Sequence, residues 1–464
     1  MSAPCLASLP YHPDTATLFE AVADRPWAVL LDSGRPMIRQ GRYDILSFDP
    51  GVVLLTRGAV TEIRTRDSST LSPADPFALL RERLSPPLRG VPGLPFCGGA
   101  LGYLSYDLGR RLERLPSWAE DDEQLPEMVM GIYDWALVVD HERRHTVLVG
   151  QGRDPQTRSR WSELVRLFSA PRGAAKRHPL RLHGPVRSSM GREAYAAAFG
   201  RVKDYIRAGD CYQVNLAQRF VVEMEGDPWR VYRGLRRLNP APFGAYLNTP
   251  QFQVLSASPE RFLRVRAGEV LTQPIKGTCA RSADPLVDRE RAEALQASPK
   301  DRAENLMIVD LLRNDLGKSC ALGSIRAPRL FEVQAFATVH HLVSSVTGRL
   351  APGRDALALL RGCFPGGSIT GAPKLRAMEI IEELEPHRRG VYCGTIGSLG
   401  FDGTMDTNIA IRTLVHARGR MSFWAGGGIV ADSSLEGEYQ ESYDKAAAML
   451  NLLEQGSALN RVGG

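Results

Sequence analysis

The pattern of apolar and polar positions changes character at about residue 190. Upstream, short runs of β-branched, apolar and aromatic residues, such as Val52 to Leu55 and Ile132 to Val139, are typical of strands. The stretch from Ala170 to Arg187 is rich in Pro, Gly, Arg and His and lacks apolar periodicity. We therefore predict an N-terminal region at residues 1–170, a linker at 171–190 and a second domain at 191–464.

The second region predicts helices among closely spaced strands. A helical pattern from Arg192 to Ala208 ends at Gly209, a plausible C-cap. A long apolar helix lies near the middle of the region, and a final helix is predicted from about Leu435 to Glu454. Because the strands are too closely spaced for βαβ units, we predict an α+β fold with large mixed antiparallel sheets packed together and helices outside. The predicted strands here are Gln213 to Val222, Phe243 to Asn248, Phe252 to Ser256 and Arg261 to Val265.

Composition narrows the class of protein. The chain has 464 residues, 43% hydrophobic and 24% charged, which is ordinary for a globular enzyme. No apolar run of roughly 18 residues predicts a transmembrane helix, and Met1 to Pro13 does not resemble a secretory signal. Seven cysteines without a CxxC pair favour free thiols in the cytoplasm. The net charge of +6 is dispersed, which argues against nucleic-acid binding.

Lysines are scarce, which makes each one a candidate for chemistry. Only seven of the 58 basic residues are lysines, and arginine is a poor nucleophile because it stays protonated. Attention falls on Lys276, Lys374 and Lys445. Lys276 lies between apolar neighbours in a strand-to-turn segment, where desolvation would lower its pKa and make it nucleophilic; an exposed loop lysine is the alternative. Glu260, at a strand turn, becomes a candidate general acid if it is buried.

Two predicted helices carry matching pairs of carboxylates. Ser298 and Pro299 begin a helix whose apolar residues leave almost no polar face, so we expect it to be buried. Carboxylate ligands without His or Cys suit Mg²⁺, whereas the alternative is a set of acids favoured by helix N-termini. The carboxylates, spaced i and i+3 in each helix, are Asp301 and Glu304 in the first and Glu438 and Glu441 in the second, with Lys445 one turn further on.

Two glycine-rich segments are further candidates for ligand contact. Met421 to Ala425 reads as a strand running into Gly426 to Gly428, whose backbone amides could face an anion; a tight turn without a ligand is the commoner alternative. The segment from Gly366 to Lys374 is not a P-loop, because Ala372-Pro373 interrupts the required spacing. Its hydroxyls could still line a polar pocket, with Pro373 opening a helix through Glu385.

In this order the motifs resemble the chorismate-utilising enzymes. The resemblance is strongest from Tyr195 to Leu453 and continues upstream in Leu30 to Ser33, Phe96 to Tyr103 and Tyr133-Asp134. It implies a two-subdomain chorismate-binding fold. It also implies chemical roles, with Lys276 as covalent nucleophile, Glu260 as proton donor, Glu304 and Glu441 as ligands of Mg²⁺, and Asp301 and Glu438 as supporting acids.

Two positions separate the branches of that family. Isochorismate and salicylate synthases carry a water-activating lysine where this chain has Gln213, and anthranilate synthases carry alanine where it has Lys276. The pair resembles the aminodeoxychorismate synthase branch, and the anthranilate synthase branch is the alternative. For His341 a structural role is also open. The resemblance implies substrate contacts at Gln213, Gly277, Thr278, His341, Thr370, Tyr392, Arg412, Gly426, Gly427, Gly428 and Lys445.

The resemblance also implies partners. No Cys-His-Glu glutaminase is identifiable, so ammonia is expected from a separate glutamine amidotransferase subunit, in a route to 4-aminobenzoate and folate. Two interpretations of other classes stay open: a pyridoxal-phosphate enzyme with a Schiff base on Lys276, and a non-catalytic sensor of tryptophan or chorismate. The family's amino-acid pocket, which holds tryptophan in some members, matches this chain at Ser33, Tyr43, Pro242, Phe243 and Gly244.

Overall fold

The computed structural model describes residues 4–169, 177–336 and 339–454. The first part of the predicted linker, residues 170–176, lies outside the described residues. In chain order the helices are α1 (Thr15–Phe19), α2 (Pro76–Leu84), α3 (Pro155–Ser159), α4 (Trp161–Ser169), α5 (Arg192–Ala208), α6 (Pro228–Leu238), α7 (Pro285–Ala297), α8 (Pro299–Gly317), α9 (Ala356–Cys363), α10 (Lys374–Leu384) and α11 (Leu435–Glu454), with short 3₁₀ turns at Tyr106–Arg111 and Gly367–Ile369.

Strands are more numerous than helices and occur along the whole chain. They are β1 (Cys5–Leu9), β2 (Ala28–Asp32), β3 (Tyr43–Ser47), β4 (Val52–Arg57), β5 (Val60–Thr65), β6 (Ser69–Ser72), β7 (Gly99–Leu104), β8 (Met128–Tyr133), β9 (Trp135–Asp140), β10 (His145–Gly150), β11 (Arg181–Ser188), β12 (Gln213–Glu225), β13 (Phe243–Asn248), β14 (Phe252–Ser258), β15 (Arg261–Arg266), β16 (Glu269–Gln273), β17 (Ile275–Ala280), β18 (Arg326–Ala335), β19 (Val339–Arg349), β20 (Gly371–Ala372), β21 (Thr395–Gly400), β22 (Met405–Asn408), β23 (Thr413–Ala417) and β24 (Arg420–Ile429).

These strands form two antiparallel sheets of twelve strands each, which confirms the predicted α+β class. The first sheet runs β1-β10-β9-β3-β2-β13-β14-β23-β24-β12-β11, with β20 beside β12. The second runs β17-β19-β16-β15-β22-β21-β7-β8-β4-β5-β6, with β18 beside β19. Each sheet therefore combines strands from both ends of the chain, joined at β2–β13 and at β7–β21. The boundary placed at 171–190 does not separate two independent sheets.

Two details of the predicted elements differ from the structure. The apolar run from Ile132 to Val139 is two strands, because Asp134 turns the chain and its carboxylate accepts hydrogen bonds from the amides of Gly152 and Arg153. Within the predicted linker, Arg181–Ser188 forms edge strand β11, which pairs with β12. An edge strand has one partner and one open side, so its exposed positions carry polar residues and no clear apolar period.

Helix α8 begins at the predicted position, and α11 has the predicted limits. Ser298 caps α8, its Oγ accepting the amide of Asp301 at 3.3 Å. The prediction that this helix is wholly buried is wrong, because Leu306 is 45% exposed. Only one face packs inward, where Asn305 Nδ2 donates to the carbonyl of Leu342 on β19 at 3.2 Å. No helix in the described segments is long and apolar enough to cross a bilayer.

Packed apolar clusters hold the helices against the sheets. In one cluster Trp229 of α6 is fully buried and contacts Phe19 of α1, with 5.0 Å between ring centroids, and Tyr246 of β13, with 4.9 Å. The same cluster includes Met449 of α11. Burial of such large rings contributes strongly to the free energy of folding and fixes α11 beside the first sheet.

Candidate functional site

Glu260 lies in the turn between β14 and β15 and is only 4% exposed. Burial raises the pKa of its carboxyl to about 7, although a hydrogen bond from Ser368 and the charge of Lys276 act in the opposite direction. Ser368 Oγ donates to Glu260 Oε1 at 2.7 Å. A carboxyl in this setting can hold a proton near neutral pH and release it to a substrate.

Lys276 lies on β17, an edge strand of the second sheet that α7 and α8 cover. Its pKa is lowered, first by burial and then by the charge of Lys445, while the carboxylates of Glu260, Glu304 and Glu441 oppose the shift. Among the residues described, no carboxylate lies within ion-pair distance of its Nζ. Because Lys276 lies within a strand and is half-buried, it is not an exposed loop lysine. Its lowered pKa is the property that a nucleophilic amine needs.

Both predicted helices bring a carboxylate near this lysine, Glu304 from α8 and Glu441 from α11. On α8, Asp301 lies against Gly277, where an added Cβ would stand 2.9 Å from its Oδ1. Burial raises the pKa of Glu304, and the negative charges of Asp301 and Glu441 raise it further. The positive charge of Lys276 acts in the opposite direction and lowers it. Asp301 and Glu441 therefore both lie close enough to Glu304 to act on it electrostatically.

On α11 the two glutamates differ in their partners. Ser433 Oγ donates to Glu438 Oε1 at 2.6 Å, whereas the buried Oε2 has no hydrogen-bond partner within the described chain. Burial raises the pKa of Glu438. Burial acts in the same direction on Glu441, but Lys445, 2.6 Å from its Oε1, outweighs it and lowers the pKa. One glutamate is held as an anion, and the other presents an unpaired oxygen.

These carboxylates do not by themselves form a preassembled metal cage. Within the described ranges, no three His, Cys, Asp or Glu side chains lie together closely enough to hold a metal ion. Mg²⁺ is usually bound through one or two carboxylates, several waters and an anionic substrate. The unpaired Oε2 of Glu438 and the lone acids of α8 and α11 fit that open arrangement and do not fit a closed protein site.

The glycines of β24 have a different role from the one predicted. Gly426 to Gly428 form no turn; they lie inside the strand and pair with Leu216, Ala217 and Asn215 of β12. The prediction that successive amides face one anion is therefore wrong, because successive amides of a paired strand point in opposite directions. β23 pairs with β24 only as far as Phe423, so the glycine segment has β12 on one side alone.

Close approach explains why glycine is needed there. A Cβ on Gly427 would stand 2.7 Å from Glu438 Oε2 and 3.2 Å from Glu441 Oε1. A Cβ on Gly428 would stand 2.8 Å from Gln213 Nε2. The carbonyl of Gly426 accepts a hydrogen bond from Lys445 Nζ at 3.0 Å. Glu438 and Glu441 therefore approach one face of the strand at Gly427, and the Gln213 amide approaches the other face at Gly428.

Two polar side chains are buried without all of their hydrogen bonds. Gln213 has no exposed surface, and neither atom of its amide has a partner in the described residues. His341 Nδ1 bonds Thr278 Oγ1 at 2.8 Å, but Nε2 has no partner there. Burial, then the charges of Arg412 and Lys445, lower the pKa of His341 to about 3, so the ring is neutral. Buried polar groups left in this state point to a polar ligand.

Three further predicted contacts have unequal support. Arg412 Nη1 donates to Asn239 Oδ1 at 3.1 Å, and burial lowers its pKa without an ion pair in the described chain, which suits an anionic ligand. Tyr392 stacks on Trp424 with ring centroids 6.2 Å apart. Thr370 is buried and donates to the backbone carbonyl of Gly366 at 3.2 Å, so its hydroxyl has a structural partner.

The predicted amino-acid pocket is a cavity of about 620 Å³. Ser33, Tyr43, Pro242, Phe243 and Gly244 all line it. The buried Oγ of Ser33 has no partner among the described residues. The cavity continues to Ile275, the neighbour of Lys276, so its far end lies close to the reaction site.

Sequence reasoning missed two supporting side chains. Ser368 was seen only as one hydroxyl of a glycine-rich segment, although it holds Glu260. Arg389 was not singled out, yet it is buried against Glu385. The i,i+4 spacing of Glu385 and Arg389 was the available signal, but that spacing is common on exposed helices.

Comparisons with known proteins bear on this arrangement. The model of the family described as chorismate binding enzyme matches residues 32–451. The chain is 49% identical to a Klebsiella aerogenes protein named aminodeoxychorismate synthase component 1, over 98% of this chain and 100% of that protein. It is 41% identical to the Thermus thermophilus anthranilate synthase component 1, over 90% of this chain and 91% of that protein.

A solved structure supports the fold. Anthranilate synthase component I from Streptococcus pneumoniae superimposes with a TM-score of 0.78 and 31% sequence identity, covering 89% of this chain and 93% of that one. The shared fold contains the positions of the carboxylates, Lys276 and Glu260. The residue types at such positions then determine which reaction is catalysed.

Proposed function

The chain belongs to the family of chorismate-binding enzymes, and on that premise we propose that it converts chorismate and ammonia to 4-amino-4-deoxychorismate. In support, its K. aerogenes relative is named aminodeoxychorismate synthase component 1. The observation that carries the proposal is Lys276, an amine of lowered pKa near Glu260, whose carboxyl has its pKa raised to about 7 by burial. Gln213, which cannot activate water as a lysine would, argues for nitrogen in place of oxygen as the incoming atom.

The first half of the reaction uses Glu260 and Lys276. Glu260 protonates the C4 hydroxyl of chorismate, which leaves as water. The neutral Lys276 amine forms a bond to C2 while the ring double bonds shift and the C4–O bond breaks. The amine proton released at Lys276 returns to Glu260. A covalent step of this kind replaces one difficult displacement by two easier ones.

The second half restores the enzyme. Ammonia forms a bond to C4, the double bonds shift back, and the C2–N bond to Lys276 breaks. The proton lost by the new amine goes to the departing lysine nitrogen. The sum is chorismate plus ammonia giving aminodeoxychorismate plus water, with the enolpyruvyl group retained.

Metal and substrate contacts follow from the donors present. Glu304 and Glu441 would hold Mg²⁺, with Asp301 and Glu438 as supporting acids. When bound, the ion would supply charge neutralisation and Lewis-acid polarisation at the ring carboxylate of the substrate. The enolpyruvyl carboxylate is bound by Arg412, Tyr392 and the open edge of Gly426 to Gly428. The remaining contacts are Gln213, Gly277, Thr278, His341, Thr370 and Lys445.

The ammonia comes from a glutamine amidotransferase subunit in the cytoplasm, and the product leads to 4-aminobenzoate and folate. The region at residues 1–170, with Pro242, Phe243 and Gly244, supplies a tryptophan pocket, and residues 191–464 carry the reaction. In support of a partner, the K. aerogenes relative is named as component 1. Purified protein should use ammonium salts but need an added amidotransferase to use glutamine.

Product analysis tests the proposal. Purified protein, chorismate, Mg²⁺ and ammonium at near-neutral pH should give a product in which amine replaces hydroxyl and the enolpyruvyl group remains, by mass spectrometry. No pyruvate should form. Anthranilate with one pyruvate per turnover would instead assign the activity of the anthranilate synthases, and no turnover with tight ligand binding would favour a sensor.

A further inference from the structure

A buried ion pair between Glu385 and Arg389 lies behind the reaction site. Arg389 is 1% exposed and Glu385 is 4% exposed. Arg389 Nε donates to Glu385 Oε2 at 2.8 Å and Nη2 donates to Oε1 at 2.6 Å. Two charges in such a place are costly unless their other hydrogen-bonding atoms are also satisfied. The pair meets that requirement through the backbone of two neighbouring segments.

The first of these segments holds the proposed proton donor. Arg389 Nη1 donates to the carbonyl of Ile369 at 2.9 Å. Ile369 directly follows Ser368, whose Oγ donates to Glu260 Oε1 at 2.7 Å. The position of the Ser368 hydroxyl therefore depends on a 3₁₀ turn whose last carbonyl is held by Arg389.

The second segment is the beginning of β12. Arg389 Nη2 donates to the carbonyl of Asn215 at 2.7 Å. Glu385 Oε1 accepts the amide of Ala217 at 2.8 Å. Gln213, with its unpartnered amide, stands two residues before Asn215 on this strand. One guanidinium thus joins the strand of Gln213 to the turn of Ser368.

We propose that Arg389 is a positioning residue for the reaction, which sets the Ser368 hydroxyl against Glu260 and the Gln213 amide against the substrate. The proposal rests on the proposed function and deepens it. A lysine cannot replace this residue, because one ammonium group cannot reach both carbonyls and the carboxylate in the planar geometry of a guanidinium. A role in stability alone would leave the behaviour of Glu260 unchanged.

The pH profile distinguishes the two roles. Glu260 is faced by Lys276 on β17, Lys445 on α11, Cys393 and Ser368. The Ser368 hydrogen bond favours the carboxylate, so its loss raises the pKa of Glu260. Because Glu260 acts in its protonated form, the alkaline limb of kcat/KM should move to higher pH in Arg389→Lys. A displacement of about 1 Å in that variant should lower kcat by about 10²-fold.

A double-mutant cycle tests whether Arg389 acts through Ser368. Ser368→Ala should move the alkaline limb in the same direction. The double variant should move it no further than Ser368→Ala alone, because both changes remove one hydrogen bond. Additive shifts would overturn the proposal.

The matched control is Arg177→Lys, which alters another arginine with a buried side chain, ion-paired with Glu20 after α1 and with Asp227 before α6, where none of the proposed reaction groups lies. Arg177→Lys should leave the alkaline limb of kcat/KM at its wild-type pH. Glu385→Gln repeats the test if Arg389→Lys does not fold. Hydrogen exchange adds a readout independent of turnover: the Asn215 amide, bonded to the Thr370 carbonyl at 2.8 Å, should exchange faster in Arg389→Lys than in the control.

The positioning role would be overturned if the alkaline limb of kcat/KM did not move in Arg389→Lys and Glu385→Gln and the hydrogen exchange of the Asn215 amide stayed unchanged in both. Wild-type protein that makes no aminodeoxychorismate at all would contradict the proposed function instead. The hydrogen-exchange comparison does not need turnover, so it would still test the contact of Arg389 with the Asn215 segment.

Discussion

Lys445 Nζ lies 2.6 Å from Glu441 Oε1, one turn apart on α11. This contact favours the anionic form of Glu441 although burial acts to raise its pKa, since the net effect is a lowered pKa. A carboxylate prepared in this way can accept a metal ion without first losing a proton. The lysine therefore supports the same carboxylate that the proposed function assigns to Mg²⁺.

Replacing that carboxylate should weaken the use of Mg²⁺. Glu441→Gln keeps the size of the side chain but removes a charged ligand, so the Mg²⁺ concentration for half-maximal rate should rise about tenfold or more. A Mg²⁺ titration of the rate measures it. Glu436→Gln is the matched control, because Glu436 is exposed on the same helix and pairs with Arg192. Equal Mg²⁺ dependence in both variants would contradict the assignment.

Lys276 should be required as a nucleophile and not as a charge. Lys276→Arg keeps a cation in place but removes the nucleophile, because guanidinium stays protonated. We expect Lys276→Arg and Lys276→Ala to lose most aminodeoxychorismate formation, measured by product mass, while chorismate binding persists. Wild-type rates in Lys276→Ala would leave no place for a covalent step.

The rate should depend on pH through Glu260 and Lys276 in opposite senses. Glu260 must be protonated, so activity falls as pH rises through its pKa of about 7. Lys276 must be neutral, so activity falls as pH drops below its lowered pKa. Glu260→Gln should remove the alkaline limb and lower kcat about 10²- to 10⁴-fold. An unchanged alkaline limb in that variant would assign the titration to another group.

Gly428→Ala should damage the site without unfolding the protein. Its Cβ would stand 2.8 Å from Gln213 Nε2 and push the amide away, so kcat/KM for chorismate should fall about tenfold or more. Gly200→Ala on α5 has open space at its Cβ and should keep full activity, with a gain of about 1 kcal/mol in the free energy of unfolding. Comparable activity in both variants would show that the site tolerates a side chain at position 428.

Local signals predicted most of the elements. Caps and apolar periods placed α5 and α11, and the close spacing of strands gave the α+β class. The chain pattern could not predict which strands pair, so the sharing of both sheets by the two regions was not foreseen. Asp134 divided one predicted strand because a single turn residue overrides an apolar run.

The site was predictable where residue type carries the chemistry. The carboxylates of α8 and α11, Lys276 and Glu260 stand near one another as their order indicated. The glycine run was misread, because three glycines signal room for close neighbours as well as a turn. Ser368 was not assigned to Glu260, since 108 positions separate them in sequence.

The central claim is that Lys276 forms a covalent bond to chorismate. The most direct measurement is peptide mass spectrometry of protein treated with chorismate and Mg²⁺ in the absence of ammonia. We expect a mass increase of chorismate less one water on the peptide carrying Lys276, which disappears when ammonium is added. Steady formation of aminodeoxychorismate with no such adduct, and with an active Lys276→Ala variant, would contradict it.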